Sequence, residues 1–230
     1  IEDPEVFDAV HAFLLEYAGT AGLDGFRADH VDGLYDPQTY AERLRRQLDE
    51  ASNDRGDFLL LFEKILTGHE RLPSDRPISG TTGYEFAHRV NAVLADSTGF
   101  ERIERHYAEL TGLGSGFTPV VYEKKARVLD ELFAGQFRSL VDELLVIAES
   151  ERHGRDLSRQ QLAVALREVM VRLPRYRTYV RELPVPPRER QVLEHTLDSA
   201  ISAVSGIEDQ VWDFLRSALL PGEGDERAEK

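Results

Sequence analysis

Two short apolar runs in this chain each end on an acidic residue, and a helix-like stretch lies between them. The first run occupies residues 25–30 and contains Asp29, and the second occupies residues 59–64 and contains Glu63. Strands that are joined through a helix pair in parallel, with a right-handed crossover. Because α/β barrels carry their chemistry at the C-terminal ends of parallel strands, these two acids are the first candidates for a functional site.

The sequence around the two runs predicts an α-β-α-β unit. A helix begins at Asp3-Pro4, a strand covers 23–28, a second helix begins at Asp36-Pro37, and a second strand covers 57–62. Residues 68–83 have the glycine, proline and threonine content of a long ordered loop. Two strands do not form a stable sheet by themselves, so we expect an incomplete barrel or an open sheet.

From residue 84 onward the sequence shows only helical periodicity. The predicted fold class is therefore α/β in the first part, followed by a large all-helical subdomain, with helices predominating overall. We expect a barrel-like segment over 1–83, a helical subdomain over 84–220 and a disordered tail over 221–230. The predicted helices cover residues 84–95, 99–111, 119–133, 136–151, 158–173, 187–205 and 207–219.

The composition argues against several classes of function. The 230 residues include no cysteine and carry a formal net charge of −14, which disfavours thiolate chemistry and nonspecific attraction to nucleic acid or anionic membranes. No apolar run approaches the roughly 20 residues that span a bilayer. We predict no cofactor, no nucleic-acid or membrane partner, and a cytoplasmic location. Because the chain does not begin with methionine, we expect it to be a piece of a longer protein.

Arg27, Asp29 and His30 are candidate site residues at the end of the first strand. Alternate residues of a strand share a face, so Arg27 and Asp29 point to the same side. An arginine beside an aspartate stabilises the ionised carboxylate, which is the form that a nucleophile needs. His30 could donate a hydrogen bond to a substrate hydroxyl. The alternative is a structural Arg–Asp pair at a strand end.

Glu63 and Lys64 are the candidate site residues at the end of the second strand. A glutamate after an almost unbroken apolar strand would be partly desolvated, which favours the protonated form required of a general acid. The alternative is that Lys64 pairs with Glu63 in a plain structural ion pair.

Other polar clusters favour structural interpretations. Three aspartates around His30 lack the spacing of a calcium loop, so we predict no metal site; they are Asp29, Asp32 and Asp36. Residues 53–56 and 80–83 lack the ending of a phosphate-binding loop. A basic-aromatic patch is interpreted as the end of a helix, although its two tyrosines also offer stacking surfaces for a sugar. Its members are Arg172, Arg175, Tyr176, Arg177, Tyr179 and Arg181.

Several stretches of the chain resemble the maltooligosyltrehalose synthases, a family of the α-amylase superfamily. Residues 25–30 resemble the superfamily's second signature, whose Arg-x-Asp aspartate is the nucleophile, and residues 62–66 resemble the third, which holds the acid/base. The resemblance covers nearly the whole chain and weakens past Val185. The stretches that carry the narrower resemblance are 28–34, 63–66, 80–86 and 174–180.

The resemblance implies a (β/α)8 barrel with a large helical insertion after its fifth strand, of which this chain is a central fragment holding strands four and five. It implies that Asp29 is the nucleophile and that Glu63 acts first as acid and then as base. It also implies substrate contacts for Arg27, His30, Lys64 and Tyr84.

The activity implied by the resemblance is the conversion of the reducing-end α-1,4 bond of a maltooligosaccharide into an α,α-1,1 bond. The superfamily's first and fourth signatures, the latter with a third catalytic carboxylate, are absent from the sequence, so we expect the chain to be inactive alone. One alternative is a glucan hydrolase or glucanotransferase of the same superfamily. Another, from a different class, is a non-catalytic helical scaffold or interaction module whose strand acids are structural.

Overall fold

The computed structural model describes residues 1–20, 23–52, 58–68, 70–72, 76–113, 116–152, 154–181 and 183–222. The chain divides into two compact units, Ile1–Ile103 and Glu104–Lys230. The tail predicted to be disordered lies, from residue 223 on, outside the described residues, and so does the segment 53–56. The predicted domain limits stay predictions.

The first unit follows the predicted α-β-α-β order and then continues with a third strand, a third helix and the beginning of a fourth, which runs on into the second unit. Helix α2 begins where the sequence indicates, because Asp36 caps it by accepting the N–H groups of Gln38 and Thr39 at 3.1 and 3.0 Å. The elements are α1 (Pro4–Thr20), β1 (Gly25–Ala28), a 3-10 turn (Val31–Gly33), α2 (Pro37–Ala51), β2 (Leu59–Phe62), β3 (Gly80–Thr81), α3 (Tyr84–Leu94) and α4 (Ser97–Thr111).

The three strands form one parallel sheet in the order β1-β2-β3. The register pairs Gly25 with Leu59 and Ala28 with Phe62. A Cβ on Gly25 would lie 2.7 Å from both the Cβ and the carbonyl oxygen of Leu59, so glycine is required where the two strands approach.

Strand β3 lies inside the segment that the sequence predicts to be a loop, so the two-strand prediction was wrong at this point. The Ser79 N–H donates to the Leu60 carbonyl at 2.7 Å, and the Thr82 N–H donates to the Phe62 carbonyl at 3.1 Å. Arg45 of α2 donates to the carbonyls on both sides of this pairing, at Phe58 and Pro77. The strand is only two residues long and depends on these distant partners, so local composition does not reveal it.

The sheet buries one face and exposes the other. Ala28, Leu60 and Phe62 are buried in a core that α1 and α2 cover. On the opposite face, Arg27 and Leu59 are exposed and Leu61 is half-buried. This alternation follows the period of two along each strand.

A buried polar contact joins α1 to α2 within that core. The His11 imidazole lies 2.8 Å through Nδ1 from the Phe7 carbonyl and 2.9 Å through Nε2 from the Tyr40 hydroxyl. Since a carbonyl only accepts, Nδ1 carries the proton, and in the neutral ring Nε2 accepts from the Tyr40 hydroxyl. Burial raises the pKa of the Tyr40 hydroxyl. The Tyr40 ring also contacts Phe62 of β2, at 6.2 Å between ring centroids.

The second unit is helical throughout the residues that the structure describes. Its largest core cluster includes Leu162, Leu197 and Trp212 from three different helices. The helices are α5 (Phe117–Glu131), α6 (Ala134–Ser150), α7 (Arg159–Arg172), α8 (Pro187–Ala203) and α9 (Asp209–Leu219).

Two arginines of the basic-aromatic patch are engaged with buried glutamates of this unit. Glu168 accepts hydrogen bonds from Arg172 and from the Tyr122 hydroxyl. Arg175 and Glu189 pair at 3.2 Å, and less than a tenth of either side chain is exposed. Helix α7 ends at Arg172, so the basic-aromatic patch begins at the end of a helix. This agrees with the interpretation made from the sequence.

Among the described residues, no helix combines the length and the hydropathy that crossing a membrane would require.

We expect Tyr40→Phe to lower the free energy of unfolding by about 1–3 kcal/mol, because Nε2 of the buried His11 loses its hydrogen-bond partner. Urea denaturation followed by circular dichroism measures the change. Tyr107→Phe is the matched control, since it removes the same hydroxyl from a side chain that is exposed. Equal effects of the two substitutions would contradict the role assigned to the buried contact.

Candidate active site

Asp29 and Glu63 follow adjacent parallel strands at corresponding positions. The register that pairs Ala28 with Phe62 pairs Asp29 with Glu63 when it is continued by one residue. The Glu63 N–H donates to the Ala28 carbonyl at 2.8 Å, so the ladder does extend to this point. Neighbouring strands lie about 4.8 Å apart. The backbone therefore brings the two predicted acids to the same edge of the sheet.

Arg27 binds Asp29 with a two-pronged contact. Its Nε lies 2.7 Å from one carboxylate oxygen and its Nη2 lies 2.9 Å from the other. The side chains of Arg27 and Asp29 are 58% and 53% exposed. An exposed pair of this kind adds little to stability, so a purely structural role leaves the arrangement largely unexplained.

The electrostatics of Arg27 link it to three further groups. The hydrogen bond that Arg27 donates to Asp29 and the charge of Asp29 raise the pKa of the Arg27 guanidinium, and Glu63 and Tyr84 add to the same shift. Arg27 thus contacts Asp29 directly and is within electrostatic range of two further predicted site residues, Glu63 and Tyr84.

Glu63 is half-buried and is held by the backbone of the residue that follows Asp29. Its Oε2 accepts the His30 N–H at 3.0 Å. His30 has a left-handed backbone conformation, with φ 54° and ψ 33°. Every other non-glycine residue that the structure describes has a negative φ. Such a conformation costs on the order of 1 kcal/mol. Strain of this size next to the two acids fits a functional position.

The His30 imidazole lies against Gly33, at the end of the 3-10 turn. A Cβ on Gly33 would come within 2.7 Å of the ring's Cε1 and 2.9 Å of its Nδ1. The His30 ring therefore fits against residue 33 only because glycine has no side chain there.

Lys64, for which a substrate contact is predicted, is buried in the structure. Its side chain is only 4% exposed, and its ammonium pairs with Asp32 at 3.0 Å and with Glu70 at 2.9 Å. These contacts differ from the Lys64–Glu63 pair considered as the alternative, since Lys64 instead bridges the turn after β1 and the loop after β2. The local sequence around Glu70 does not indicate that it pairs with Lys64, because this ion pair depends on the path of the loop after β2.

Tyr84 opens α3 at the same edge of the sheet. It follows Gly83, whose φ of 82° turns the chain from β3 into the helix. The Thr81 hydroxyl accepts the Gly83 N–H at 3.3 Å and donates to Glu85 at 2.7 Å, which fixes this turn. The Tyr84 side chain is 43% exposed, so it is accessible to a ligand.

The aspartates that the sequence groups around His30 are engaged separately. Asp29 pairs with Arg27, Asp32 pairs with Lys64, and Asp36 caps α2. In the described ranges, no group of three or more histidine, cysteine, aspartate or glutamate side chains is arranged to hold a metal ion.

Comparison with solved structures finds similarity over nearly the whole chain. A point mutant of the maltooligosyltrehalose synthase from Arthrobacter ramosus matches 99% of this chain with a TM-score of 0.74 and 29% identity. The same synthase without that mutation matches 95% with a TM-score of 0.73 and 30% identity. A third structure, a glycosyltrehalose synthase from strain DSM5389, matches 96% with a TM-score of 0.64 and 26% identity. The predicted resemblance to maltooligosyltrehalose synthases is confirmed.

Sequence comparison gives the same family name. A Mycobacterium tuberculosis protein provisionally named maltooligosyl trehalose synthase is 38% identical over 98 residues, which is 43% of this chain. The matched 98 residues span 12% of that protein, and the chain spans about a quarter, 26–27%, of the synthases of known structure. No protein-family model matches the chain.

We expect Gly33→Ala to lower the free energy of unfolding by about 1–3 kcal/mol and to displace the His30 ring, because the new methyl group would occupy the position of the imidazole. Chemical denaturation measures the first effect, and the NMR resonances of the His30 ring report the second.

Gly135→Ala is the matched control for that substitution. Gly135 lies in α6, and apart from its chain neighbours and the backbone of its own helix no described atom lies within 4 Å of the position that its Cβ would take. Since alanine favours a helix over glycine by roughly 0.5–1 kcal/mol, this change should stabilise the chain slightly. An unmoved His30 resonance in Gly33→Ala would show that the ring does not rest on Gly33.

Proposed function

We propose that this chain is the part of a maltooligosyltrehalose synthase that carries the nucleophile and the acid/base. The single observation that supports this most strongly is the pairing of Asp29 with Glu63 at the ends of adjacent parallel strands. Retaining glycoside chemistry needs two carboxyl groups about 5–5.5 Å apart. The spacing of neighbouring strands, about 4.8 Å, is compatible with that requirement.

In the proposed reaction, Asp29 attacks the anomeric carbon of the glucose unit next to the reducing end. Glu63 gives its proton to the glycosidic oxygen, so the α-1,4 bond breaks and the terminal glucose is released while a glycosyl–Asp29 ester forms. The released glucose turns over without leaving. Its anomeric hydroxyl then attacks the anomeric carbon of the glycosyl–Asp29 ester while Glu63 takes the hydroxyl proton. The bond from that carbon to Asp29 breaks, the Asp29 carboxylate leaves, and an α,α-1,1 bond replaces the ester.

Arg27 and His30 prepare the two carboxylates for these steps in the proposed mechanism. The guanidinium of Arg27 holds both oxygens of Asp29, which fixes the direction of that carboxylate. The His30 N–H orients Glu63 through Oε2. His30 and Tyr84 are also assigned to sugar contacts, whereas the buried contacts of Lys64 favour a role within the protein.

The proposed substrate is a maltooligosaccharide, and the reaction needs protection from water while the glucose turns, since water would hydrolyse the ester. The described residues of the segment 68–83 are proposed to contribute to that enclosure. A complete (β/α)8 barrel, a third catalytic carboxylate, inactivity of this chain alone and a cytoplasmic location also belong to the proposal.

A chimera provides the test. Residues of the Arthrobacter ramosus synthase that match this chain are replaced by it, and the product is assayed with a maltooligosaccharide for loss of reducing ends. We expect the chimera to form a non-reducing product, and the chain alone to form none. New reducing ends would instead favour a hydrolase of the same superfamily.

In an active chimera, we expect Asp29→Asn and Glu63→Gln each to lower kcat by at least about a hundredfold, because each removes a group that reacts. Asp142→Asn and Glu131→Gln are matched controls, since both acids lie on exposed helix surfaces. Unchanged activity in the first two variants would support the scaffold alternative and end the proposal.

A further inference from the structure

Lys64 sits at the centre of a buried ionic triad next to the proposed acid/base. Its ammonium lies 3.0 Å from an oxygen of Asp32 and 2.9 Å from an oxygen of Glu70. The side chains of Lys64, Asp32 and Glu70 are 4%, 15% and 6% exposed. Charges that are this far removed from water are retained at a cost, so a role for their specific geometry is worth seeking.

The Lys64–Asp32 pair closes a ring of contacts between the ends of β1 and β2. Lys64 is joined to Glu63 by the chain, and Glu63 accepts the N–H of His30. His30 leads directly into the 3-10 turn that contains Asp32, and the Gly33 N–H donates back to the His30 carbonyl at 3.1 Å. Asp32 then returns to Lys64 through the ion pair.

We propose that Lys64 is a positioning residue, which holds the turn after β1 through Asp32 and thereby keeps the His30 N–H on Glu63. The left-handed conformation of His30 is unfavourable by itself and needs surrounding contacts to persist. The ion pair supplies such a contact two residues further on. The relevance of this to catalysis rests on the proposed role of Glu63, but the contact between Lys64 and the turn does not.

The two acids of the triad have different positions, which provides a matched pair of variants. Asp32 belongs to the turn that carries His30. Glu70 lies on the other side of Lys64, where its N–H donates to the Thr67 carbonyl within the loop after β2. Removing either carboxylate leaves Lys64 with the other, so the change of charge is the same. Only the removal of Asp32 breaks the ring of contacts.

Hydrogen exchange of the His30 amide, measured by NMR on this chain, tests the proposal without any assay of activity. Glu63→Ala removes the acceptor and defines complete loss of protection. We expect Asp32→Ala to speed exchange of this amide about tenfold, which corresponds to losing one hydrogen bond. We expect Glu70→Ala to leave it unchanged. The Leu60 amide, in the core of the sheet, reports any general loss of stability in each variant.

Asp32→Asn completes the series and replaces Asp32→Ala if that variant does not fold. It keeps a hydrogen-bond acceptor for Lys64, so we expect its His30 amide to exchange at an intermediate rate. Equal exchange in the Asp32 and Glu70 variants, or an Asp32→Asn variant that matches the unsubstituted chain, would overturn the proposal.

The chimera adds a catalytic readout that separates the two proposals. We expect Asp32→Ala to lower kcat with little change in KM, and Glu70→Ala to change neither. If Glu63→Gln leaves the chimera active, the proposed function fails while the exchange experiment still decides the role of Lys64. If exchange is insensitive to Asp32 while Glu63→Gln abolishes activity, the positioning role fails alone.

Discussion

The parallel pairing of β1 with β2 determines the geometry of the candidate site. It sets Asp29 beside Glu63 through one continuous register, and the Glu63 N–H to Ala28 carbonyl bond extends that register to the acids themselves. The pairing requires Gly25, since any Cβ there would collide with Leu59. It also requires the core beneath, where Tyr40 of α2 contacts Phe62 of β2.

The charged residues at this edge separate into two kinds of contact. Arg27 and Asp29 pair on an exposed surface, where an ion pair adds little stability and remains accessible to a ligand. Lys64 pairs with Asp32 and Glu70 in the interior, where a change in one partner disturbs the others. The exposed pair is therefore the better candidate for contact with a substrate, and the buried one for positioning.

Much of the fold follows from local sequence signals. The helices of the second unit lie within a few residues of the predicted limits, because their apolar stripes and caps are local; Ser158, for example, caps α7 by accepting the Gln161 N–H at 3.2 Å. Strand β3 was missed, because it depends on hydrogen bonds from residues about twenty positions away in the chain. The mostly helical architecture with a small parallel sheet is confirmed, and a closed barrel stays a prediction.

The sequence by itself determined the helices, the first two strands and the two acids at their ends, since these depend on periodicity, capping and the position of a residue along a strand. It also carried the resemblance to maltooligosyltrehalose synthases. Only the tertiary structure decided which polar groups pair with one another. The hydrogen bond from His30 to Glu63 and the ion pair of Lys64 with Asp32 each join residues more than thirty positions apart. The ion pair of Lys64 with Glu70 joins residues six positions apart. Which carboxylate an ammonium finds depends on where the loops return, and no local pattern encodes that.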